Sequence, residues 1–503
     1  MDIKAGTTEV AHLESALSKP THHNSTGTVT LLEGGEIILI PTPSPDPRDP
    51  LNLPNYQKWA IDIILGMFAV FSVLITSGMG PILTNIMAFY DNDPRTTDLM
   101  TYPTLFMGIG NIIAMPLAMA IGRRPVFLAS VLILTVGSIW CAASQSLDSH
   151  IAGRNILSLA AGQSEALCPL IIQEIHFVHE RSSKLAWFSA TQSIGTAALT
   201  IATAYIVNAL GWRWCDAYEG LVHIYHEGEP VSVVRATQKT RVLIDNTRYK
   251  ARTLSHSLKI FHGPADWSKA ITCGKQMAQC LLFPNILWVI LLNSVALGIY
   301  VIVVTEFGTI LSSPPYNYPS SALGLVQGGQ IVVSFLLVPV LGYGGDQLTR
   351  WIAKHRNGVA EPEIRLIPMV LPVAALIISS VIFGRAGSSP YEWSPWAITI
   401  TFNGIYFAFI GVILVGYTYS LDSYPERAAP ILVLICAIRG LISFGISFGV
   451  TKFVTEQGYQ GAFNICASIT GAVAVLGLPV FLWGHKIRAI TMKYAVDHKT
   501  AQG

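Results

Sequence analysis

Eleven runs of mostly apolar residues divide the chain, each close to the about 20 residues that a helix needs to cross the hydrocarbon core of a bilayer. They extend from Trp59 to Ile82, Thr101 to Ile121, Val126 to Ser144, His150 to Ile175, Leu185 to Leu210 and, further on, Phe283 to Thr305. The rest are Ser320 to Tyr343, Leu366 to Gly384, Trp396 to Tyr417, Ile431 to Val454 and Phe463 to Trp483. Trp, Tyr, Lys and Arg mark many of the margins, as at membrane interfaces, and glycines recur inside, where helices in lipid approach closely. The pattern predicts an all-α polytopic membrane protein.

Charge sharpens the division. Only 12% of the 503 residues are Asp, Glu, Lys or Arg, against about 25% in a soluble domain. Those charges crowd into stretches that frame an N-terminal tail (1–58), a bundle of five spans (59–210), a charged central loop (211–282), a bundle of six spans (283–485) and a C-terminal tail (486–503). The first 58 residues lack the basic start and apolar core of a cleaved signal peptide, so the first span is expected to direct insertion. The net charge of +2 carries no basic patch, so nucleic acid is not an expected partner. The expected partners are the lipid bilayer and a small-molecule substrate, bound by a monomer. The seven cysteines contain no Cys-x-x-Cys pair and read as small core residues. No metal spacing, nucleophile elbow, phosphate loop or dinucleotide fingerprint appears, which predicts neither an enzyme nor a cofactor.

Short loops rich in Lys and Arg stay cytoplasmic. In the first half the tail with Lys58, the Arg123–Arg124 loop and the Arg181–Lys184 loop share one side, so the N-terminus is inside and the fifth span leaves outside. In the second half the stretch from Arg235 to Lys275, the Arg350–Arg365 loop and the C-terminal tail also belong inside. The two statements conflict unless the chain crosses once more near residue 215. Either the central loop dips into the membrane irregularly, or about 20 residues of a sixth helix are missing; the second is the expectation. The spans are therefore numbered one to five and seven to twelve.

Several ordered motifs add to this. They are Asp46-Pro-Arg-Asp-Pro-Leu-Asn-Leu-Pro54, Gly122-Arg-Arg-Pro125, Arg154 with Ser164-Glu165, Phe177-Val-His-Glu-Arg181, Gly211-Trp-Arg-Trp214, Arg356 to Leu366, and Asp422-Ser-Tyr-Pro-Glu426. In this order they resemble the major facilitator superfamily, within it the fungal drug:proton antiporter-like branch of multidrug, polyamine and secondary-metabolite transporters. That resemblance implies two pseudo-symmetric six-helix halves, with spans one, four, seven and ten lining a central cavity. The chain departs from the pattern at three places. Met119 replaces an acidic residue before Gly122; Leu199 and Thr200 replace a Gly and a Pro in span five; polar Cys215-Asp216 follows Trp214 where the sixth helix should begin.

Within span four, Arg154 and Glu165 are three turns apart and fall on one helix face. Arg154 is placed near the outer interface and Glu165 close to mid-membrane, where a carboxylate has to be protonated, paired or hydrated. Glu165 is either a proton-coupling or substrate group in a cavity or a hydrogen-bonded packing residue; Arg154 either modulates it or snorkels to headgroups. Asn293 with Tyr300 on span seven, and Asn403 with Tyr406 on span ten, pair an amide with an aromatic ring, suited to an amphipathic solute or to interhelical hydrogen bonds. Asp62 is expected to pair at the interface with Lys58, and Arg439 is left open between structural pairing and substrate contact. Gly122, Arg123 and Arg124 form a conformational cytoplasmic turn, with Asp346 at the matching turn of the second half.

The leading expectation is a secondary transporter that moves a small organic solute outward in exchange for protons, in the plasma membrane rather than the vacuolar membrane. An importer or facilitator of polyamines or other nutrients, and a truncated membrane protein without transport, are the alternatives.

Overall fold

The structure, a computed structural model, describes residues 29–30, 32–33, 36–37, 49–77, 83–91, 93–210, 265–356 and 359–495. The first half holds α1 (Asn55–Ser77), α2 (Asp98–Ile121), α3 (Arg123–Ala143), α4 (Leu147–Ala161), α5 (Gln163–Ile175) and α6 (Arg181–Leu210). After a short amphipathic helix, α7 (Trp267–Cys280), the second half holds α8 (Pro284–Ser312), α9 (Ser320–Leu337), α10 (Gly344–His355), α11 (Val370–Ser388), α12 (Pro395–Ser423), α13 (Ala428–Val475) and α14 (Gly477–Ala495). Helices dominate because a backbone in lipid has to satisfy its own N–H and C=O groups.

Among the described residues, ten helices are long and apolar enough to cross a membrane. Predicted span five is not one of them. It lies in α6, which is helical over 30 residues but diluted by Ser182, Ser183, Ser189, Gln192 and Ser193. That polarity has a place, since α6 packs between the two halves, against α1 and α9. Spans eleven and twelve are one run, α13, interrupted at Gly458, whose φ of 67° lies in the left-handed region that glycine tolerates. Span four divides at Gly162 into α4 and α5. Span eight continues from α9 through a π-helical turn at Val338–Tyr343, where Pro339 lacks an N–H, into α10.

The halves meet where α2 packs on α13 and α6 on α9. Small residues let α2 and α13 come together: a Cβ on Gly440 would stand 2.9 Å from the Thr104 carbonyl oxygen, and one on Gly108 3.1 Å from that of Ala437. At one end of the bundle, Val29–Thr30 pairs antiparallel with Val359–Ala360.

The expected missing helix near Cys215 lies outside the described residues. On either side of it, Arg181 at the start of α6 pairs with Asp422, and the Asp266 N–H donates to the Ala120 carbonyl, 3.0 Å away.

Candidate functional site between the halves

Glu165 lies within the Leu147–Ile175 span, about 15 Å from its C-terminal end. Its partner is not Arg154. Arg439, on α13 of the other half, donates from Nη2 to Glu165 Oε2 at 2.6 Å. Arg154 is buried in the first half, where Nε donates to the Leu99 carbonyl at 2.9 Å and Nη2 to that of Ile75 at 2.7 Å. The helix-face argument for Arg154 and Glu165 fails because carbonyls of neighbouring elements draw the guanidinium inward. Snorkelling fails too, since Arg154 is only 1% exposed.

The Glu165–Arg439 pair walls a cavity of about 40 Å³, together with Ser164 and Pro169 of α5, Ser189 and Gln192 of α6, and Ile413 and Tyr417 of α12. The Tyr417 hydroxyl and Cys436 thiol lie 3.0 Å apart and both reach the Glu165 carbonyl, at 3.4 and 3.3 Å. Glu165 keeps 26% of its side chain exposed, whereas Arg439 keeps 3%. A volume of this size holds a few waters and no drug-sized solute, so the halves have to part before cargo enters.

An aromatic relay links this pair to two of the expected residues. The Arg439 guanidinium lies 6.0 Å from the Phe409 ring centre. Phe409 stacks on Tyr300 at 5.0 Å, and Tyr300 lies 5.5 Å from Tyr406. Tyr406 donates to Ser193 across the interface between halves, and Gln330 donates to the Tyr300 hydroxyl at 3.1 Å. The two asparagines lie apart from the cavity. Asn293 donates to its own helix at Val289, and Asn403 donates to the Val326 and Thr399 carbonyls. The Oδ1 atom of each is buried without a hydrogen-bond partner.

At the cytoplasmic end a second cluster joins the halves. Asp422 accepts from Arg181 at 2.9 Å and from Arg365, which also reaches Asp346 at 3.1 Å. Asp346 Oδ2 accepts from the Ser183 N–H at 2.9 Å and from the Ser183 hydroxyl, capping the start of α6. Nearby, a hydrogen bond from His179 holds the Glu180 carboxyl below the usual carboxylate range. In the first half Gly122 takes a φ of 103°, which only glycine adopts readily. There Arg123 pairs with Glu174 at the end of α5. Asp62 pairs with His176 at 3.0 Å rather than with Lys58, whose ammonium lies over the Phe177 ring.

Sequence reasoning singled out Glu165 and Arg439 separately and missed their pairing. Two opposite charges at membrane depth were the available signal. It passed over Glu306, just beyond the expected end of span seven, where the carboxylate accepts from Tyr459 at 3.0 Å. It also passed over Ser189 and Gln192, which no local pattern marks.

Two helical halves clasped around a buried polar site, closed at one end by a charged network, define a multi-pass membrane transporter rather than an enzyme. The sequence pattern of the Major Facilitator Superfamily matches residues 65–430, and the chain belongs to that superfamily. It is 23% identical to an uncharacterised MFS-type transporter of Schizosaccharomyces pombe, covering 92% of this chain and 90% of the relative. It is also 23% identical to the cercosporin MFS transporter CTB4 of Cercospora nicotianae, covering 88% and 87%. Among solved structures, the MFS proton:xylose symporter XylE superposes with a TM-score of 0.57 at 13% identity, over 84% of this chain and 96% of that one.

Proposed function

We propose that the protein is a proton-coupled secondary transporter that carries a small organic solute outward across the plasma membrane, working as a monomer. The observation that carries this reading is the Glu165–Arg439 pair, a titratable carboxylate at membrane depth whose partner belongs to the opposite half. Protonation of Glu165 breaks an inter-half contact, so proton binding biases the rocking of the halves. The Cercospora relative named as a cercosporin transporter supports an organic solute, and the MFS proton:xylose symporter supports proton coupling.

In proteoliposomes with cercosporin as the first probe, an imposed pH gradient is expected to drive transport. Glu165→Gln is expected to keep solute exchange but lose the response to the gradient. An active Glu165→Gln protein that still follows the pH gradient would remove Glu165 as the proton carrier.

A further inference from the structure

We propose that the cavity beside Arg439 binds organic anions: a solute carboxylate takes Arg439 from Glu165, and the proton that Glu165 then holds travels in the same direction as the solute. The inference rests on the reading of Glu165 as the proton carrier and names the cargo class of that site.

Three observations support it. Arg439 is a permanent cation, almost wholly buried, on the cavity wall. Its Nη1 is buried and has no hydrogen-bond acceptor, while Nη2 serves Glu165. A guanidinium with one arm occupied and one free matches the two oxygens of a carboxylate. Third, the Ser189 hydroxyl lines the same cavity and can donate to an anion, whereas those of Ser164 and Tyr417 donate to the Ala161 and Glu165 carbonyls.

Charge then fixes the coupling. With Glu165 ionised the pair is neutral, and a cationic solute would meet Arg439 at close range. A monoanion would leave one negative charge in excess unless Glu165 takes up a proton. Carboxylate and proton therefore bind together, and the site carries the neutral sum of acid and proton across the membrane. The other titratable groups facing Glu165 are Tyr417 on α12 and Cys436 on α13, both uncharged partners of its carbonyl; α6 contributes Ser189 and Gln192, which do not titrate. Export of an acid made in the cell is then driven by the product of its anion and proton gradients, with one proton moved per molecule.

The test is equilibrium binding of radiolabelled 2-naphthoate, 2-naphthamide and 2-naphthylmethylammonium to the full chain in lipid nanodiscs. Naphthoate is expected to bind in preference to the amide and the amine, and to weaken ~10-fold per pH unit once Glu165 ionises, as linkage to one proton requires. Glu165→Gln is expected to bind naphthoate as tightly at neutral as at acid pH, whereas Arg439→Gln loses it. Preference for the amine, or no binding of naphthoate, would overturn the anion site. Amine binding that still competes with a proton on Glu165 would leave the proton-carrier reading standing. Naphthoate binding with the same pH dependence in Glu165→Gln as in the parent would remove that reading as well.

Discussion

The two cytoplasmic turns occupy matching places in the two halves, yet they are built differently. In the first half, Arg123 and Glu174 form one pair, about a third exposed on each side and internal to that half. In the second half, Asp346, Arg365 and Asp422 join Arg181 of the first half, every side chain under a tenth exposed. Exposed pairs contribute about 0–1 kcal/mol. Removing one partner of a buried network costs about 3–5 kcal/mol, because a charge is left behind without compensation. The turns differ in sequence as well: Met119 precedes Gly122 in the first, at a position that the resemblance makes acidic, whereas Asp346 is present in the second. Closure of the cytoplasmic end is thus carried by one turn of the pair.

The largest effect is expected for Asp422→Asn, which strands Arg181 and leaves Arg365 with Asp346 as its one carboxylate. The closed state should lose about 3–5 kcal/mol, read as a lower unfolding midpoint and as faster proteolysis at the cytoplasmic loops. Ser183→Ala comes next. It removes the hydroxyl donor to Asp346 but keeps the backbone N–H, so a loss of about 1.5–3 kcal/mol is expected by thermal melting in detergent. Arg123→Gln is the smallest, within about 1 kcal/mol of the parent in the same melt. A larger loss for Arg123→Gln than for Ser183→Ala would reverse the ranking of the two turns.

What could be read from the sequence follows from what is local. Apolar runs such as Trp396 to Tyr417 predict helices because lipid leaves the backbone no other partner. Glu165 stood out because charge at membrane depth is rare. The pairing of Glu165 with Arg439, and of Asp422 with Arg181 and Arg365, was not legible, since each joins residues from distant parts of the chain and no periodicity links them. Arg154 misled for the same reason. The helical wheel gave its face but not the carbonyls of Ile75 and Leu99 that capture it. Asn293 and Asn403 share faces with Tyr300 and Tyr406, yet each amide turns to a backbone carbonyl. Span five was legible as a helix, while the fit of its hydroxyl-rich face to an interface between halves was not, since no local pattern marks it.

The most direct measurement is labelling of Ser189→Cys, on the cavity wall, by a membrane-impermeant maleimide applied from the cytoplasmic side. The six described native cysteines are buried, and the parent chain without the substitution gives the background. Ser189→Cys should be protected alone and with Arg123→Gln, and should label rapidly when combined with Asp422→Asn. Equal labelling with Arg123→Gln and with Asp422→Asn, or continued protection with Asp422→Asn, would contradict closure by the second-half network.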